Sequence, residues 1–149
     1  MHANEACSVA RHRRAFLSLG AGLAAGALCW SAVAQPAIPS SKVQFPKGSK
    51  GASIKGQLNG PANDAHDHVL RAKAGQRMTV SLDTKSTSTY FNVLPPGSDE
   101  ALFAGERMGG SQWSGRLPAD GDYTVRVYLN RAAARQGQSA TYALKLSVE

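Results

Sequence analysis

Two arginines four residues apart, Arg131 and Arg135, carry the most specific chemistry in the 149-residue sequence. They flank Ala132-Ala133-Ala134, and a single helical turn through those alanines sends both guanidinium groups out on one side. A guanidinium is a planar fork of donors that grips a carboxylate through two bonds and keeps its charge across the working pH range. Such a pair suits the capture of acceptors rather than catalysis. Just upstream, Tyr123, Val125, Val127 and Leu129 alternate with Thr124, Arg126 and Tyr128, the period of two that puts one row of a strand into a core. Asp120-Gly121 supplies the turn into that strand, because glycine tolerates positive φ and aspartate can bond its own backbone. The arginines therefore stand on a stiff mount, with Tyr123 as a core anchor of the tyrosine-corner type.

Other reactive residue types are sparse. Cys7 and Cys29 both lie in the first 34 residues, so the rest of the chain holds no thiol nucleophile and no disulfide. Gly109-Gly110-Ser111-Gln112-Trp113 lacks the second glycine of a nucleophile elbow, and no glycine-rich loop with Lys-Ser or Lys-Thr follows a strand. Asp64, Asp83, Asp99, Glu100, Asp120 and Asp122 fall in turns, where capping backbone amides accounts for them. His66 and His68 point to one face of a strand and could share a metal, but a closed zinc site needs four ligands and no further histidine or cysteine follows residue 34 to complete it. These absences argue against an enzyme and against a resident cofactor or metal.

The first 34 residues read as an export signal. Arg11, Arg13 and Arg14 make a basic region, an apolar stretch runs to Trp30, and Ala32-Val33-Ala34 is the small-x-small pattern cut before Gln35. Arg13-Arg14-Ala15-Phe16-Leu17 looks like a twin-arginine signal, with His12 where a Ser or Thr usually precedes the pair. That segment holds three of the 17 Lys+Arg and one of the 10 Asp+Glu, which leaves a net charge of +5 on the remainder. The excess is modest and dispersed, unlike the basic run of a nucleic-acid binder. Lys47-Gly48-Ser49-Lys50-Gly51 reads as a solvated basic turn that discourages edge pairing. The reading is a flexible lead over residues 35–41 and one domain over residues 42–149, without stable membrane insertion once the signal is cleaved.

Within that domain, residues 42–45, 53–58, 67–72, 78–82, 89–94, 101–103, 112–115 and 123–129, with the alternation Tyr142, Leu144, Leu146, Val148, form short strands. Glycine and proline sit at the joints. This spacing predicts an all-β chain, a single antiparallel β-sandwich of about eight strands. Trp113 between glycines is either a core side chain or a sugar-stacking platform.

Phe45-Pro46-Lys47-Gly48, Leu70-Arg71-Ala72-Lys73-Ala74-Gly75-Gln76, Tyr90-Phe91-Asn92-Val93-Leu94-Pro95-Pro96-Gly97 and residues 117–135 together resemble the periplasmic inhibitors of g-type lysozyme, the PliG family. The resemblance implies a small β-sandwich in the periplasm that blocks the cleft of a goose-type lysozyme, its partner. It assigns the contact to Arg131 and Arg135. It also assigns a contact to the position of His68, where relatives carry a tyrosine. The phrase Gly121-Asp122-Tyr123-x-Val125 is shared with pre-peptidase C-terminal domains, so an accessory or carbohydrate-binding β-sandwich is the alternative.

Overall fold

The computed structural model describes residues 37–149, and the export-signal reading falls outside the described residues. Nine strands and two short helices follow one another: β1 (Ser40–Lys42), β2 (Gly51–Asn59), β3 (Ala65–Ala72), β4 (Arg77–Thr84), β5 (Thr89–Leu94), β6 (Phe103–Ala104), α1 (Gly105–Met108), β7 (Gln112–Arg116), β8 (Gly121–Leu129), α2 (Arg131–Arg135) and β9 (Ser139–Val148). They build two facing sheets, one of order β1-β3-β8-β5-β6 and one of order β2-β9-β4-β7. Among the described residues no helix is long and apolar enough to cross a membrane.

Alternation decides which row turns inward. In β8 the row Tyr123, Val125, Val127, Leu129 is buried, and its neighbours contribute Leu70 from β3 and Phe91 and Val93 from β5. The opposing sheet answers with Leu58, Met78, Val80, Leu144 and Leu146. Facing rows of this kind lock the register, since a slip of one residue would turn every apolar side chain outward. Trp113 belongs to this layer: it packs at the margin of the core, 6.4 Å from the Phe103 ring, and lies over Gly115, where a Cβ would strike the indole.

The tyrosine corner is present. Tyr123 is fully buried, and its hydroxyl donates to the Ala119 carbonyl at 2.6 Å while accepting from the Ala119 amide at 3.1 Å. The loop before β8 is thereby tied to the strand it feeds.

Two expectations are corrected and one element is added. The first strand occupies Ser40–Lys42 rather than residues 42–45, and it pairs in parallel with β3 inside a sandwich whose other pairings are antiparallel. Pairing there satisfies backbone groups at the edge of β3, a gain that side-chain alternation does not encode. Second, Asp120 does not fold onto its own backbone; its carboxylate accepts from the Ala74 amide at 2.7 Å and pins the neighbouring turn. The added element is α1, a four-residue turn too short to show a helical stripe in the sequence.

Candidate functional site

The arginine-bearing segment is a capped helical turn. The Asn130 side chain accepts from the Ala133 amide at 2.8 Å, satisfying one of the donors a helix start leaves open. The Asn130 amide donates to the Ser88 carbonyl at 2.9 Å, which fixes the exit of β8 against the loop before β5. At the far end the Gln138 amide donates to the Ala133 carbonyl, and the Gly60 amide donates to the Gln138 carbonyl, each at 3.0 Å. The turn is thus held at both ends.

Its alanines divide the labour. Ala133 and Ala134 are buried, while Arg131, Ala132 and Arg135 face solvent. Gly60 explains the close seating: a Cβ there would run into the Ala134 backbone, 2.7 Å from its carbonyl oxygen. Only small residues on both sides let α2 lie so near the turn after β2. With 1.5 Å of rise per residue, Arg131 and Arg135 leave the same flank about 6 Å apart along the axis. Among the described residues neither guanidinium has a carboxylate within 4.0 Å; the two ion pairs present are Arg126 with Asp67 and Arg71 with Asp122.

His68 does not join them. It sits three residues into β3 with its ring turned between the sheets, 3 % exposed, and its Nε2 lies 2.9 Å from the Tyr142 hydroxyl of β9. Burial, helped by the adjacent His66, lowers its pKa to about 4, against a weaker opposing pull from Asp67. The neutral, buried imidazole links the two sheets. The resemblance assigns a contact to the position of His68; in this fold the alternation of β3 turns His66, His68 and Leu70 inward with Val127, Val125 and Tyr123.

The two histidine rings do lie together, with centroids 4.7 Å apart, and His66 Nε2 meets Ser41 Oγ at 2.9 Å, holding β1 to β3. They line a cavity of about 650 Å³ between the free edges of β1 and β2, with Ile54, Lys55 and Tyr142 on its other walls. Among the described residues no group of three or more histidine, cysteine or acidic side chains is placed to hold a metal.

Beside Arg131 the outer face of the first sheet forms a second hollow, which the sequence reading did not single out. Tyr128, Arg126, Asp64, Glu106 and the exposed Ile38 line it together with Arg131. The outward row of β8 contained the signal for Tyr128 and Arg126. Glu106 arrives on α1 and Ile38 on the segment before β1, and neither could be placed without the fold.

Comparison with known proteins identifies the fold and its kin. No family model matches the chain. An inhibitor of g-type lysozyme from Escherichia coli is 30% identical over 111 residues, which span 72% of this chain and 79% of that protein. The chain belongs to that family, PliG. Aeromonas hydrophila PliG, a periplasmic inhibitor of g-type lysozyme, superposes with a TM-score of 0.67 at 39% identity, covering 74% of this chain and 96% of that one. A mutant of the Escherichia coli PliG gives 0.60 at 26% identity, covering 76% and 100%. The pre-peptidase C-terminal domain of a Bacillus anthracis collagenase gives 0.54 at 14% identity, covering 78% and 100%, and shares with PliG the sandwich alone.

Proposed function

We propose that this chain is a periplasmic inhibitor of a goose-type lysozyme and that it works by occupation, with Arg131 and Arg135 entering the peptidoglycan-cleaving cleft. Membership in PliG carries the target and the compartment, through 30% identity over 79% of an inhibitor of g-type lysozyme. The exposed, uncommitted arginine pair on a capped turn supports the means. A glycosidase cleft presents carboxylic acids and a row of sugar-binding acceptors. A forked cation can take the carboxylate in two bonds, and a second cation one helical turn away can engage a neighbouring acceptor, leaving no room for the glycan. In this reading His68 acts from behind, keeping β3 and β9 together.

The test is gel filtration of the exported form with a goose-type lysozyme, followed by a cell-wall lysis assay on the mixture. Co-elution with loss of lysis is expected. Retention on insoluble peptidoglycan without enzyme, and no effect on lysis, would instead favour a carbohydrate-binding module.

A further inference from the structure

The hollow beside Arg131, about 480 Å³ in volume, is bipolar. Arg131 forms one wall. Other walls carry the carboxylates of Asp64 and Glu106, both exposed, and among the described residues neither has a basic group within 4.0 Å. Arg126 also lines the hollow, yet its charge is already committed. It grips Asp67 through two bonds of 2.7 and 2.9 Å, which is also what raises its pKa. Tyr128 stands in the middle, with its hydroxyl 3.5 Å from Glu106 Oε2 and 3.4 Å from Asn92 Oδ1. Ile38, 37% exposed, adds an apolar flank.

A protein partner seated on α2 must cover more than a five-residue turn. A stable interface buries about 800 Å² on each side, and a concave area that shares a wall with Arg131 falls under the same footprint. Covering it strips water from Asp64 and Glu106. A carboxylate buried at an interface without a cation is strongly unfavourable; with Arg126 held by Asp67 and Arg131 directed at acceptors on the enzyme, the fitting counter-charge is one supplied by the partner.

We infer that this hollow is a socket for a cationic side chain of the lysozyme, a lysine or arginine whose stem lies along Ile38 and Tyr128 and whose head meets Asp64 and Glu106. This rests on the inhibitor reading above. The contact surface then has two signs: arginine prongs that seek acceptors on the enzyme, and an anionic socket that receives a donor from it. The socket sets orientation, because a single-sign contact can rotate about its prongs and a two-sign contact cannot.

The experiment compares full-length exported protein with Asp64→Asn/Glu106→Gln and with Arg131→Ala/Arg135→Ala, in inhibition titrations of a goose-type lysozyme at low and raised salt. Thermal melting serves as the control for folding. The socket predicts that the asparagine and glutamine variant melts as the parent does, inhibits at least tenfold less well, and loses that deficit as salt screens the parent's contact. Glu106→Lys should be worse than Glu106→Gln. Equal or better inhibition by the neutral variant, with the arginine variant impaired, overturns the socket and leaves the inhibitor reading standing. Full inhibition by both variants overturns the placement of the contact on this face altogether.

Discussion

At the scale of single residues, two buried polar groups set how the sandwich responds to its surroundings. His68 is neutral in the fold, with its pKa lowered to about 4 by burial. Once unfolded it titrates near 6.5, so below that pH the unfolded chain takes up a proton that the native state refuses. Stability therefore falls as pH drops from about 6.5 towards 4 and this contribution levels off below the folded value, a loss on the order of 3 kcal/mol across the window. Urea midpoints at pH 7 and pH 4.5 check it: His68→Gln should show a shallower decline than the parent. An identical decline would mean that His68 is not enclosed as described. Tyr123 supplies the second group. Tyr123→Phe keeps the ring in the core but strands the Ala119 backbone, for a cost of about 1 to 2 kcal/mol and several degrees of melting temperature.

The next scale is the element, and here α2 is the one that matters. Five residues make too short a helix to persist alone, so its geometry is imposed by the Asn130 cap, the two buried alanines and the close approach of Gly60. Gly60→Ala should push α2 off its seat, and Asn130→Ala should loosen its first turn at about 1 kcal/mol. Both are expected to weaken inhibition of a goose-type lysozyme more than they lower the melting temperature, since the arginines lose position while the core disturbance is confined to its margin at Ala133 and Ala134. The check is to plot inhibition constants against melting temperatures for a set of core variants. A pair of points falling on that general trend would show that α2 matters only through global stability.

For the whole molecule, the sandwich is legible because its cues are local: β4, β8 and β9 show a period of two, and β3, β5 and β7 are short runs with glycine- or proline-bearing loops near their ends. The same locality put Arg131 and Arg135 on one short turn. What escaped depends on contacts between distant segments. The parallel pairing of β1 is written in the edge of β3, and α1 is too brief to leave a stripe. The resemblance implies a binding role at the position of His68. Its burial follows from the register of β3 on β8, which sets it opposite Val125 and in line with the core row. The Tyr128 hollow likewise needs four separate segments, around Ile38, Asp64, Glu106 and Tyr128, to be brought together before it exists. Neutralising its carboxylates, as in the variant described above, asks whether that assembly is part of the interface.

In the proposed mode of action, two guanidinium groups on a β-sandwich stop a lysozyme by filling its cleft. Its most direct measurement is an inhibition titration with Arg131→Ala/Arg135→Ala beside the parent, with melting temperatures recorded for both. Unchanged melting and a loss of inhibitory potency well above tenfold are expected, consistent with arginine hot spots that cost about 2 kcal/mol or more each when truncated. A variant that melts normally and inhibits as well as the parent would contradict it.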